Sequence, residues 1–337
     1  MNVPPELRCL VHGAALRADP GPAVEDSTRL VCAQGCRIPV EAGVPRFIAS
    51  ESYATGFGLQ WTVHATTQLD SATGTHISRD RLARCLGGLE RVAGRAVLEV
   101  GCGAGRFTEV LLDSGARVFA CDLSRAVEAN LANFRSRPGH FVCQADLMRL
   151  PVAPASFDGV VALGVLQHVP RPKAAVAELA AALRPGGLLA LDHYAPPPGA
   201  GRAWRVAAAL SPRALLRHSL LRLPPRLAQA TAAGLTRALL PLHRALWRRG
   251  PVVDRVRRVV RRVSPVVDHY DRLPELSREQ LAEWATLDTH DALTDRYKHL
   301  RTAEEVRAML EAAGLVEVEV AYAGNGVEAR ARKPIST

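Results

Sequence analysis

The feature that most constrains this chain is a strand, glycine turn and helix in immediate succession. Ala96-Val97-Leu98-Glu99-Val100 is a short apolar run, read as a buried strand. Gly101-Cys102-Gly103-Ala104-Gly105 follows, and Arg106-Phe107-Thr108-Glu109-Val110-Leu111-Leu112 reads as a helix. Glycines between a strand end and a helix start let backbone pass close to a ligand at the helix N-terminus. Such a unit demands a parallel sheet, and the next segments supply its strands. Val118-Phe119-Ala120-Cys121-Asp122 is a strand ending in an acid seventeen residues past Gly105, placed to accept hydrogen bonds from two ribose hydroxyls. Phe141 to Leu147 is a third strand, with Asp146 placed to meet an adenine amino group. Ser156 to Gly164 is a fourth, and Val165 to Pro170 its loop. A helix from Pro172 to Leu183 leads through Arg184-Pro185-Gly186-Gly187 into a fifth strand, Leu188 to His193.

In this order "VLEVGCGAGRFTEVLL", "VFACDLS", "QADLMRLP", "SFDGVVALGVLQHVP" and "LRPGGLLALDHY" resemble the successive motifs of class I S-adenosylmethionine-dependent methyltransferases, over roughly residues 80 to 195. The resemblance resumes at Thr302 to Gly314, read as a helix, and at two strands, Leu315 to Tyr322 and Gly326 to Arg332. Those imply the last helix and the antiparallel hairpin that close the family's Rossmann-like, seven-stranded α/β sheet. A phosphate-binding dinucleotide site is the competing reading, and it expects Gly-x-Gly-x-x-Gly where this chain has Gly-x-Gly-x-Gly.

The resemblance assigns roles. Glu99 would orient the loop and approach the methionine ammonium. Gly101, Cys102, Gly103 and Gly105 would bring backbone against methionine and ribose. Asp122 would hold the ribose, Leu123 would cover the adenine face, and Asp146 and Leu147 would flank its edge. Gly164 would offer a carbonyl to the methionine amine. As a nucleophile Cys102 is not expected.

Methyl transfer aligns an acceptor and, for a hydroxyl or carbon acid, removes a proton. In open α/β sheets ligands sit outside the carboxyl ends of the strands. That selects His193, with Asp192 and Tyr194, after the fifth strand, and His168 after the fourth, as candidate general bases. Tyr53, Gln60, Trp61 and Arg79 belong to a segment that caps the cofactor in related enzymes.

Metal-ligand spacing marks the N-terminal region: Cys9-x2-His12 and, nineteen residues on, Cys32-x3-Cys36. Two short ligand pairs on separate turns are the usual way to build a four-coordinate structural zinc site. Gly13 and Gly35 sit where such turns need positive φ. The segment is too short and polar to fold on its own core, and zinc would supply the missing stability. It is similar to the zinc-binding domains that precede some bacterial methyltransferases, including ribosomal RNA guanine methyltransferases, with His where Cys is commoner.

Charge is uneven. The chain carries a net +10, and from Arg202 to Arg262 there are fifteen arginines against one acid, Asp254. That stretch lies within an insertion, about 196 to 275, whose amphipathic helices draw apolar faces from Leu215, Leu216, Leu220, Leu221, Leu239, Leu240, Leu242, Leu246 and Trp247. Its place after the fifth strand suits a lid or substrate domain. Its charge suits an anionic acceptor, a polyanion, a membrane surface or only a solvated helical face. Beyond it, Leu287 to Asp291 and Tyr297 are read as polar groups facing the pocket.

The expected organisation is a zinc-binding domain over 1–50, a cap or linker over 51–80, a methyltransferase domain over 81–195 and 276–337, and a basic helical insertion over 196–275. No export signal or membrane span is read, and seven cysteines are an odd number, so a disulfide framework is not expected and the chain reads as cytoplasmic. The leading function is O-methylation of a small or medium-sized metabolite. The alternatives are an RNA ring-nitrogen methyltransferase, and a non-methylating cyclase or partner subunit that binds the same cofactor.

Overall fold

The computed structural model describes residues 3–19, 29–48, 58, 60–61, 63–197, 199–247 and 251–335. It divides into two compact units, the first made of Met1–Ala54, His76–Pro196 and Tyr297–Thr337, the second of Thr55–Thr75 and Pro197–Arg296.

The first unit is built on a seven-stranded sheet. Its strands are β5 (Ala96–Val100), β6 (Arg117–Asp122), β7 (His140–Gln144), β8 (Phe157–Ala162), β9 (Leu183–His193), β10 (Val316–Ala323) and β11 (Gly326–Arg332), in the order β10-β11-β9-β8-β5-β6-β7. The first five run parallel, and β11 and β10 close the edge antiparallel. This is the expected class I methyltransferase topology. Parallel strands are covered by their crossovers and read as unbroken apolar runs, and every residue of β5 is buried. Edge strand β10 is largely exposed and carries Glu317 and Glu319 outward, charges that blunt an open edge.

Helix α2 (Ile77–Leu86) precedes the sheet, crossovers are made by α3 (Arg106–Asp113), α4 (Ala126–Phe134) and α5 (Pro172–Ala182), and α11 (Ala303–Ala312) leads into the hairpin. Thr302 caps α11 in a reciprocal box with Glu305, a Thr-x-x-Glu pattern readable in the sequence. The Arg184-Pro185-Gly186-Gly187 segment differs from the expected turn. It lies within β9, where pairing jumps from Phe157–Leu183 to Gly159–Leu188. The glycines absorb a bulge, with Gly186 at φ 76°.

Ahead of the sheet, β1 (Leu16–Asp19), β2 (Arg29–Cys32), β3 (Arg37–Glu41) and β4 (Val44–Pro45) form an antiparallel four-stranded sheet. Its apolar residues do not make a core of their own. Leu7, Cys9, Leu30, Cys32 and Phe47 belong to the same buried cluster as the side chains of β5, β8 and β9. The join is also polar: Phe47 N–H donates to the Gln144 carbonyl at 2.8 Å, and Arg117 forks onto Glu6 at 2.6 and 3.1 Å.

The second unit is helical: α1 (Asp70–Thr73), α6 (Arg202–Ala209), α7 (Pro212–Leu220), α8 (Pro225–Ala245), α9 (Pro251–Val263) and α10 (Arg278–Thr294). Helix α10 packs on α8 and α7. Leu220, Ala232 and Leu293 meet in one cluster, and Leu240, Val266 and Ala285 in another. Of the nine apolar side chains expected to form the inner faces, only Leu220 and Leu240 are buried, while Leu215, Leu221 and Leu242 are exposed. Alanines such as Ala228 and Ala232 fill the close contacts instead.

Candidate functional site

The strand order reverses beside β5: β6 and β7 extend to one side, β8 and β9 to the other. The crevice at the carboxyl ends of strands where order reverses is where this architecture binds ligands. Here it is bordered by the Gly101–Gly105 loop after β5, Asp122 at the end of β6, and the Gly164–Val165 turn after β8. Two loop glycines are compulsory for packing as well as conformation. At Gly101 (φ 71°) an added Cβ would lie 2.2 Å from Val165 Cγ2, and at Gly105 (φ 107°) 2.1 Å from Phe134 Cε2.

Asp122 holds this loop. Its Oδ2 accepts the Gly103 N–H at 3.0 Å, and its Oδ1 accepts the Ser124 N–H and hydroxyl, each at 2.8 Å. Burial pushes the carboxyl up from its ordinary value, and these hydrogen bonds act in the opposite direction. Asp146 is half-buried and accepts the Met148 N–H at 2.9 Å, while Leu123 is half-buried and Leu147 buried.

Glu99 is buried on β5. Its Oε2 accepts the Thr108 hydroxyl at 2.6 Å, Thr108 Oγ1 accepts from Asn130 Nδ2 at 2.9 Å, and Asn130 Oδ1 lies 2.8 Å from His140 Nε2. Its Oε1 has no hydrogen-bond partner among the described residues. Burial pushes its carboxyl up to about 8, so it is largely protonated at neutral pH. A cation docked beside it would draw it back to the carboxylate.

His193 is fully buried at the end of β9. Its Nδ1 lies 3.0 Å from the Tyr194 carbonyl oxygen, which can only accept, so Nδ1 carries the hydrogen and Nε2 the lone pair. Nε2 has no partner among the described residues, and burial lowers the imidazole to about 4, keeping it neutral. His168 is buried as well, its Nδ1 3.3 Å from the Tyr297 carbonyl and its ring edge-on to Tyr194 at 5.4 Å. Cys102 is buried with its thiol pushed well up, which disposes of it as a nucleophile.

Arg81, Asn325 and Gln167, to which the sequence assigned no role, complete this end of the sheet around Asp192. Arg81 on α2 pairs with buried Asp192, whose Oδ1 accepts the Gly164 N–H at 2.6 Å and whose Oδ2 accepts from Asn325 Nδ2 at 3.2 Å. Gln167 is fully buried with neither amide atom partnered among the described residues. Gln60 and His290 lie inside the second unit, bonded to each other at 2.5 Å, and Thr289 accepts the Val267 N–H at 2.9 Å. Their polarity is spent on that unit's interior. Trp61 is half-buried and Arg79 exposed, and Tyr53 lies outside the described residues.

In the N-terminal sheet, Cys9, His12, Cys32 and Cys36 bring four ligand atoms within 4.8 Å of one another. His12 Nδ1 lies 3.5 Å from the sulfurs of Cys32 and Cys36 and 3.9 Å from that of Cys9. Gly13 and Gly35 close the two turns at φ 65° and 87°, donating to the carbonyls of Cys9 and Cys32.

Residues 98–191 match the family model described as a methyltransferase domain. A ubiquinone biosynthesis O-methyltransferase of Idiomarina loihiensis is 42% identical over 97 residues, 28% of this chain and 40% of that protein. A demethylmenaquinone methyltransferase of Beutenbergia cavernae is 34% identical over 126 residues, 37% of this chain and 52% of that one. Among solved structures, a SAM-dependent methyltransferase from Aquifex aeolicus aligns with a TM-score of 0.42 at 14% identity, covering 82% of this chain and 97% of that one. With fold, glycine loop and acidic strand ends in place, residues 98–191 are similar to a methyltransferase domain, and the sheet around them has the topology expected of class I S-adenosylmethionine-dependent methyltransferases. It spans about half or less of the length of the curated relatives it matches.

Proposed function

We propose that this chain transfers the methyl group of S-adenosylmethionine to an oxygen of a small or medium-sized metabolite. The observation that carries the reading is the set of buried polar atoms without partners among the described residues at the carboxyl ends of β5, β8 and β9: Glu99 Oε1, both amide atoms of Gln167, and His193 Nε2. Burying such atoms unpaired is costly, and a polar ligand in the crevice removes that cost. Relatives named as O-methyltransferases support oxygen as the acceptor atom.

In the proposed reaction the acceptor oxygen attacks the methyl carbon in line with the sulfonium. The carbon–sulfur bond breaks with its electron pair going to sulfur, leaving S-adenosylhomocysteine. The acceptor proton passes to His193 Nε2. An imidazole lowered to about 4 is a weak base, but the oxygen turns strongly acidic as its new bond to carbon forms, so proton transfer late in the step suffices. Glu99 would face the methionine ammonium, Asp122 the ribose, and Asp146 with Leu123 and Leu147 the adenine; Gly101, Cys102, Gly103, Gly105 and Gly164 would supply backbone contacts. His193→Ala is expected to lose about 100-fold or more in methyl transfer while keeping cofactor affinity by calorimetry. Retained turnover would remove His193 from the chemistry, and His168 is the next candidate.

We also propose a structural zinc at Cys9, His12, Cys32 and Cys36. A zinc bound at about 2.3 Å to sulfur and about 2.0 Å to nitrogen sets nitrogen–sulfur edges of about 3.5 Å in a tetrahedron, close to the spacings around His12. All four positions come from protein, so the metal would brace the fold and take no part in transfer. Purified protein is expected to hold about one zinc per chain, and Cys32→Ser to lose it and give less soluble protein. A metal-free chain of equal stability would contradict the assignment.

A further inference from the structure

Methyl transfer leaves the outer surface of the inserted helices unexplained. Fifteen large apolar side chains are exposed among the described residues, and ten of them fall between Val206 and Val263, about a sixth of the chain. Isolated exposed valines and leucines need no explanation, but a concentration of them does.

Helix α9 shows how the exposure is organised. Val256, Val259 and Val263, at 44%, 58% and 52% exposure, recur at i, i+3 and i+7 and so line one face. Arg255 is exposed and borders that line, and Arg258 is exposed farther round the helix. The opposite side faces the unit's own residues: Arg257 lies over the Trp247 ring at 4.9 Å and pairs with Asp254 at 3.3 Å, and Arg261 forks onto Asp268 and Asp271. Helix α8 repeats the pattern over five turns. Leu227, Ala230, Gly234, Ala238 and Pro241 are exposed along one line, with exposed Arg226, Arg237 and Arg244 along another beside it.

We propose that these helices dock on an anionic lipid bilayer, lying in the headgroup layer with the valine line of α9 turned towards the acyl chains and the arginines among the headgroups. A basic amphipathic helix with an aliphatic face has this affinity. Charge selects the occupant. The exposed Arg226, Arg237, Arg244, Arg255 and Arg258 repel a second copy of the same face and suit an anionic surface. The exposed side chains are aliphatic, whereas single-stranded nucleic acid is held by stacking on aromatic rings. Among the described residues no helix is long and apolar enough to cross a membrane, so contact is along the surface.

The test is vesicle sedimentation with the full chain, comparing phosphatidylcholine alone with phosphatidylcholine containing about 30% phosphatidylglycerol. Binding to the anionic vesicles is expected to be at least about tenfold tighter, and to fall at least about tenfold when salt rises from about 0.1 M to 0.5 M. Arg255→Gln with Arg258→Gln should weaken it about 25-fold, at about fivefold per arginine. Val256→Asp with Val259→Asp should weaken it at least as much. Unchanged circular dichroism and cofactor affinity show that these variants fold, and the lipid and salt comparisons on the unaltered chain stand without them. Equal binding to neutral vesicles, or none to either, overturns the proposal. Binding of an RNA oligonucleotide, or self-association through this face, without vesicle binding overturns it too.

Discussion

Asp122→Ala is expected to weaken S-adenosylmethionine binding by about 100-fold or more, because two losses coincide. The carboxylate accepts three hydrogen bonds from Gly103 and Ser124, which hold the glycine loop against β6. It is also the acid at the strand end that accepts from the ribose hydroxyls in the proposed complex. Hydrogen bonds to a charged group are worth about 1.5–3 kcal/mol each, and losing two at the ligand already gives that factor. Ser124→Ala removes only one of the loop contacts and should cost less than about tenfold. Calorimetric titration of the three proteins separates these effects, and an Asp122→Ala affinity within threefold of the original would contradict the ribose assignment.

The second large effect is on stability. Arg81 and Asp192 form an ion pair whose side chains are 14% and 0% exposed. Removing one partner of a buried pair leaves the other charge uncompensated, at a cost of about 3–5 kcal/mol. Arg81→Ala should therefore move the urea midpoint of the first unit down sharply. Arg81→Ala combined with Asp192→Asn should recover part of that loss, since the stranded charge is gone while the amide can still accept from Gly164. If the double variant is no more stable than the single one, packing of Arg81 against Phe107, 5.4 Å from its ring, is the larger contribution.

The parts of this fold that could be read from sequence are those with local causes. Strands β5 to β8 are buried on both faces and appear as short apolar runs, each followed by a loop of fixed character. The four side chains of the proposed zinc site come in two pairs, each folded by its own glycine turn. The hairpin strand Gly326–Arg332 also has the bounds read for it. What escaped has distant causes. Asp192 reads beside His193 as a candidate base, but its partners are Arg81, 111 residues away, and Asn325, 133 residues away. No local pattern announces such partners. The glycines at 186 and 187 signal a turn in any single-strand reading, and only pairing with β8 turns them into a bulge. His290 reads as facing the pocket as part of the polar run Asp288 to Asp291 that follows the insertion. Its partner, Gln60, lies 230 residues earlier.

The most direct test of methyl transfer is to incubate the purified chain with methyl-labelled S-adenosylmethionine and a fractionated cell extract, then count label in organic-soluble metabolites, RNA and protein. The account predicts label in the organic-soluble pool, formed with one S-adenosylhomocysteine per methyl group transferred. Label in RNA would contradict the metabolite reading, and no label in any pool, with the cofactor still bound, would contradict methyl transfer itself.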